Sequence, residues 1–138
     1  MKLEGIYAPI PTPFDENGGL YLEGLPPNFV HWLGTPLDGI VAGGSNGEWP
    51  LLTFDERVAL FGACADLSRG KLKVIAGVHC HSTKESLELG LEAARAGCDA
   101  VLVLPPHYYK GQNSGEALRA YFTTLADSIG IPVVLYNM

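Results

Sequence analysis

The sequence predicts an α/β protein built on a parallel sheet, and three observations predict it. Five short apolar runs recur, at residues 6–10, 39–42, 73–78, 100–104 and 132–136. Their starts lie about 30 residues apart, the length of one strand-plus-helix unit. The segments between them carry helical periodicity, and the later ones close on a glycine. Strands that alternate with helices pair in parallel through right-handed crossovers.

The elements follow in order. The first strand runs into Ile6-Tyr7-Ala8-Pro9-Ile10-Pro11-Thr12-Pro13-Phe14. Proline has no ladder donor, so this strand is expected to fray after about Ala8. The first helix is the weakest, because Pro26 and Pro27 fit only its first turn. It is expected over 27–33, stopping at Gly34. Residues 39–42 suit a buried strand. That strand breaks at Gly43-Gly44 into a small polar loop, Ser45-Asn46-Gly47-Glu48. Thr53 then opens the second helix, with Glu56 three residues on, the spacing of a capping box. This helix is expected over 53–69, with Phe54, Val58, Phe61 and Ala65 on its inner face. The third helix starts at Ser82, with Glu85 as the capping partner and Leu87, Leu91 and Ala94 repeating. The fourth starts near Ser114 and repeats Leu118, Phe122, Leu125 and Ile129. Gly70, Gly97 and Gly130 suit left-handed C-caps.

The chain has 138 residues, the size of one ordinary domain. No linker or shift of composition divides 1–138. Its net charge of −6 and lack of any Lys/Arg-rich run argue against a nucleic-acid partner. Cys64, Cys80 and Cys98 are odd in number and lie in apolar runs, which fits a reduced, cytoplasmic setting better than a disulfide framework. The start, MKLEGIYAPIPTPF, is broken by prolines and lacks a signal core. No apolar run approaches a membrane span of about 20 residues. Two architectures suit the pattern. One is a five-stranded doubly wound sheet. The other is the first five strands of a (β/α)₈ barrel, which needs about 250 residues in full. Spacing alone leans slightly to the doubly wound sheet.

Ligands in parallel α/β proteins sit at the carboxyl ends of strands, and four loops there carry polar side chains. Ser45-Asn46-Gly47-Glu48 offers free backbone N–H groups and a hydroxyl able to hold a carboxylate or phosphate, although a tight polar turn would look the same. Pro105-Pro106-His107-Tyr108-Tyr109-Lys110-Gly111 follows the fourth strand. Its tyrosines suit proton relay, or packing and interface cover. Tyr136-Asn137 closes the fifth strand, and Tyr136 points either into the core or at a ligand. His79-Cys80-His81 follows the third strand. Residues i and i+2 share a face, so the two imidazoles suit one metal ion, or equally one buried and one solvated histidine. Trp32 and Trp49 suit packing or interface roles, and His31 the surface. There is no G-x-G-x-x-G and no G-x-x-x-x-G-K-[ST], so no nucleotide cofactor is expected.

Together these strand-end motifs resemble the dihydrodipicolinate synthase / N-acetylneuraminate lyase family. Gly44-Ser45-Asn46-Gly47-Glu48 is similar to that family's G-[TS]-x-G-E signature, and Leu52-Thr53-Phe54-Asp55-Glu56-Arg57 to its L-[ST]-x-x-E-[RH] continuation. Pro11-Thr12-Pro13-Phe14 resembles its x-T-P-F, Ile75-Ala76-Gly77-Val78 its third strand, Pro106-His107-Tyr108-Tyr109 its P-x-Y-[YN] turn, and Leu135-Tyr136-Asn137 its L-Y-N-x-P. The match is collinear over the whole chain. It implies the N-terminal part, five strands and four helices, of a (β/α)₈ barrel, in place of the doubly wound sheet.

The resemblance also implies pyruvate-dependent aldol addition or cleavage of the dihydrodipicolinate synthase or 4-hydroxy-2-oxoglutarate aldolase type, in which a lysine forms a Schiff base with the 2-oxo acid. By position, Ser45 matches the relay hydroxyl. The amides near Gly44, Ser45 and Asn46 would hold the pyruvate carboxylate. Tyr136 matches the general acid/base, and Tyr108 the relay tyrosine that enters a neighbouring subunit's site. The implied partners are pyruvate, an aldehyde, and either further copies of the chain or a C-terminal half; no metal or cofactor is implied. The Ser-Asn-Gly-Glu form is similar to the 4-hydroxy-2-oxoglutarate aldolase branch. The family's Schiff-base lysine lies on a sixth strand. Lys2, Lys71, Lys73, Lys84 and Lys110 do not match it, so this chain alone is expected to lack turnover.

Overall fold

The structure, a computed structural model, describes residues 3–137 apart from the Lys110 side chain. Five strands form one sheet: β1 (Tyr7–Pro9), β2 (Gly39–Ala42), β3 (Lys73–Val78), β4 (Ala100–Val103) and β5 (Val133–Leu135). All neighbours pair in parallel, in the order β1-β2-β3-β4-β5. This order corrects the lean that spacing gave. A doubly wound sheet puts its first strand inside, whereas here β1 is an edge. Four helices connect the strands: α1 (Leu25–Trp32), α2 (Phe54–Ser68), α3 (Thr83–Arg95) and α4 (Gly115–Ser128). Each helix packs on the next, α1 on α2, α2 on α3 and α3 on α4. The result is the N-terminal part of a (β/α)₈ barrel.

The period-two alternation of each strand divides the apolar residues between two faces. Ile40, Ala42, Val74, Ala76, Val78, Val101 and Val103 join the helices in the main core, with Phe29, Leu60, Phe61, Leu89 and Leu125. Val41, Ile75 and Ala100 face the other way with Tyr7, Leu102 and Val134. Burying one of the larger side chains contributes about 1.5–3 kcal/mol, so the helix-covered face carries most of the stability.

The helix starts follow their caps. Thr53 accepts from the Glu56 amide at 3.3 Å and the Glu56 carboxylate accepts from the Thr53 amide at 2.8 Å, a complete capping box. The Thr53 amide, then the Thr53 hydroxyl at 2.8 Å, then the Leu20 amide donate to the Glu56 carboxylate and hold it below its ordinary range. Ser82 and Ser114 cap α3 and α4 by the same bond to the third residue on. Gly97 and Gly130 are left-handed, and α2 ends on two such residues, Arg69 and Gly70.

Four expectations differ from the structure. The first helix begins at Leu25, two residues early, because the unpaired N–H positions of a first turn accept both prolines. β1 ends at Pro9, one residue past the Ala8 about which it was expected to fray. The Ile10 amide donates to Val41, so by alternation the proline nitrogen faces the open edge, where no ladder bond is lost. The inner stripe of α2 is Arg57, Leu60, Phe61, Cys64 and Ser68, with Phe54, Val58 and Ala65 only partly covered. On α3 the buried residues are Ser86, Leu89, Gly90 and Ala93, one step away from the leucine repeat. Small residues are needed there because Ile129 lies against Gly90, where a methyl group would overlap it.

Candidate active site

Two loops lock together at the carboxyl end of the sheet. After β2 the chain turns at Gly43 (φ +63°) and makes one 3-10 turn over Ser45–Gly47. Glu48, at φ 54°, reverses it into a second turn, Trp49–Leu51. The Gly47 amide donates to Gly44 at 3.0 Å and the Glu48 amide to Ser45 at 3.2 Å. Thr12, itself buried, donates its hydroxyl to the Gly47 carbonyl at 2.6 Å. A side chain at Gly47 would press on Thr12 and the Ile10 carbonyl. Two sequence stretches that look unrelated, 11–14 and 44–48, are therefore one contact.

The structure brings Gly44, Ser45, Asn46 and Tyr136 to one cavity of about 210 Å³, with Pro9, Val41 and Leu102 as its apolar wall. Tyr136 is pinned from β4, where the Val103 carbonyl accepts its amide at 2.9 Å. A larger cavity of about 360 Å³ shares Ser45 and runs between Trp49, Leu104, His107 and Leu118. Tyr108 is not in either lining. It is 74% exposed and turns outward, its ring 6.1 Å from that of His81 and 4.9 Å from that of Tyr109.

The two histidines after β3 separate, one buried and one exposed. His79 is fully buried, and neither ring nitrogen has a hydrogen-bond partner among the described residues. Its ring sits 5.6 Å from Trp49 and 6.2 Å from Tyr136. Burial, then the Arg57 guanidinium and His107, push its pKa down to about 4, so it is neutral at physiological pH. His81 is exposed and lies 4.4 Å from His107. Among the described residues no three His, Cys, Asp or Glu side chains are grouped to hold a metal. Cys64, Cys80 and Cys98 are buried free thiols, and burial pushes all three pKa values up, that of Cys98 to about 12.

Sequence reasoning named Arg57 only as part of a family motif, without a role at the site, and understated Trp49. Arg57 is buried, donates to the Gly77 carbonyl at 2.9 Å and stands 5.2 Å from the centre of the Trp49 ring. The signal was present: residues 57, 60, 61, 64 and 68 have helical spacing, but a charged residue at the first of them breaks an apolar template. Among the described lysines none lines the smaller cavity. Lys73 opens β3 at its amino end and Lys84 is exposed on α3. Lys2 and the Lys110 side chain lie outside the described residues.

The Dihydrodipicolinate synthetase family matches residues 2–138 of the chain. The chain belongs to this family. The 4-hydroxy-tetrahydrodipicolinate synthase of Methanococcus aeolicus is 38% identical over 136 residues, which is 99% of this chain and 46% of that relative. The crystal structure of dihydrodipicolinate synthase from Aquifex aeolicus superposes with a TM-score of 0.92 at 31% identity, over 99% of this chain and 45% of that one. A prophage protein of the dihydrodipicolinic acid synthase family from E. coli K12, solved in complex with pyruvate, gives a TM-score of 0.91 at 32% identity, over 97% and 44%. The chain thus spans a little under half the length of these family members. No helix among the described residues is long and apolar enough to cross a membrane.

Proposed function

We propose that this chain supplies the carboxylate cradle and proton relay of a pyruvate-dependent Schiff-base aldolase, the reaction type of the dihydrodipicolinate synthetase family. The observation that carries the reading is the single cavity shared by Gly44, Ser45, Asn46 and Tyr136. In this reading the amides at Ser45 and Asn46 bind the pyruvate carboxylate, as turn amides bind anions. The Ser45 hydroxyl passes a proton between the carboxylate side and Tyr136. The Tyr136 phenol gives and takes the proton as the carbon bonded to the amine is attacked and released. Tyr108, turned outward, serves the site of a neighbouring copy. The aldehyde partner is of the kind used by 4-hydroxy-tetrahydrodipicolinate synthases or 4-hydroxy-2-oxoglutarate aldolases. No described lysine lines the cavity, and neither Lys2 nor Lys110 matches the position of the family's Schiff-base lysine; in this reading the covalent amine is not one of this chain's lysines, and the isolated chain does not turn over.

Two measurements test this. Titrating pyruvate into the 15N-labelled chain shifts the Ser45 and Asn46 amides, and Tyr136→Phe leaves those shifts in place while Ser45→Ala reduces them. Borohydride treatment with pyruvate leaves no pyruvyl adduct on the chain. An adduct on one of its own lysines overturns the division of labour, and silent amides overturn the pyruvate site.

A second reading is favoured by the open edges of the sheet. Ile6 beside β1 is 65% exposed and Leu135 on β5 is 61% exposed, and unpaired strands recruit further strands. In this reading the piece is a non-catalytic module that self-associates, or binds a small anion at the Ser45 loop. Sedimentation separates the readings: a stable monomer at micromolar concentration removes the second.

A further inference from the structure

Arg57 leaves the start of α2 for the mouth of the sheet and is 3% exposed. Taking a guanidinium out of water is costly unless its donors are used. Among the described residues no carboxylate forms an ion pair with it. Its partners are instead the Gly77 carbonyl, 2.9 Å from Nη2, the Cys80 sulfur, 3.6 Å from Nη1, and the face of Trp49, 5.2 Å from Cζ. These belong to two different strand ends. Gly77 lies near the end of β3 and Cys80 two residues past it. Trp49 follows directly on the polar loop of β2. Gly77 also abuts the root of that loop: a methyl group there would overlap the Gly43 carbonyl and come within 3.0 Å of the Gly44 amide nitrogen. The contacts close a ring from Arg57 to Gly77, to Gly43 and Gly44, through Ser45 to Trp49, and back to Arg57.

We propose that Arg57 is the positioning residue of the Ser45 loop: by clamping Trp49 to the end of β3 it sets the Ser45 and Asn46 amides toward Tyr136 before any ligand arrives. What the positioned loop binds rests on the pyruvate reading; the clamp does not. A desolvated cation over an indole is among the stronger contacts of its kind, and an arginine alone offers a flat face to the ring together with two diverging donors.

Amide hydrogen exchange on the full 138-residue chain tests the clamp. In Arg57→Gln the Gly47 and Glu48 amides exchange about tenfold faster, while the core amides of Val74 and Val101 keep their rates. Arg57→Lys, which keeps a cation but offers neither the flat face nor the two diverging donors, recovers only part of the protection. Trp49→Leu reproduces the acceleration, and the double variant adds little to either change alone. Pyruvate, followed through the Asn46 amide, binds about tenfold more weakly to Arg57→Gln. Unchanged exchange at Gly47 and Glu48, or acceleration spread evenly into Val74 and Val101, overturns the proposal. If Arg57→Gln does not fold, Trp49→Leu decides by the same criterion. If wild-type amides ignore pyruvate while the exchange results hold, the pyruvate reading fails and the clamp stands.

Discussion

At the scale of single residues, the mouth of the sheet stores its polar groups in unusual states. His79 is held neutral by burial and by the nearby Arg57 and His107, with a pKa near 4 against 6.5 outside. Between those values the unfolded chain takes up a proton that the folded chain refuses, so stability rises with pH across this window. The group contributes fully above pH 6.5, and the contribution is lost as pH falls toward 4. The gap corresponds to roughly 3 kcal/mol. Urea unfolding at the two ends of the window measures it, and His79→Phe is expected to remove most of the pH dependence that this residue adds. Ser45, Asn46 and Tyr136 were legible as candidates from strand-end position, and the structure places them on one cavity. The role of Arg57 was not legible from helical spacing, because it depends on Gly77 in β3 and on Trp49 in the turn after β2, which share no local pattern with it.

At the scale of elements, starts were easier to read than faces. A cap is a local bond between residues three apart, so Thr53–Glu56, Ser82–Glu85 and Ser114 could be read from spacing. Thr53→Ala removes one side of a complete box and is expected to cost about 1 kcal/mol, measurable by urea unfolding. The buried face of α3 was misread by one residue because tertiary contact with Ile129 demands the smallest side chain at Gly90, and hydrophobicity does not register such a demand. Gly77 poses the same problem in β3. Gly77→Ala puts a methyl against the Gly43 carbonyl, so it is expected to disturb the Ser45 loop more than it disturbs β3 pairing. Chemical shifts concentrated at residues 43–49, rather than at 73–76, verify this.

At the scale of the molecule, the number of strands was readable and their order was not. Thirty-residue spacing describes one strand-helix unit, and both architectures are made of that unit. What separates them is whether successive helices lie on one face or two, a property of how α1 through α4 pack on one another. The collinear motifs supplied that information only through resemblance. The sheet as described leaves two outer strands, β1 and β5, and the self-association reading rests on the apolar residues beside them. Replacing Ile6 and Leu135 together by lysine is expected to shift sedimentation of the chain toward the monomer without loss of helical circular dichroism, since neither side chain belongs to the helix-covered core.

Pro9 makes the two flanks of the sheet chemically unequal. Its ring nitrogen has no hydrogen to give, and it faces outward from β1. A foreign strand arriving on that flank meets a missing rung and gains one bond fewer there, whereas β5, Val133-Val134-Leu135, has an N–H at every position. A strand added to the sheet as described is therefore expected to pair more fully on the valine flank than on the proline flank.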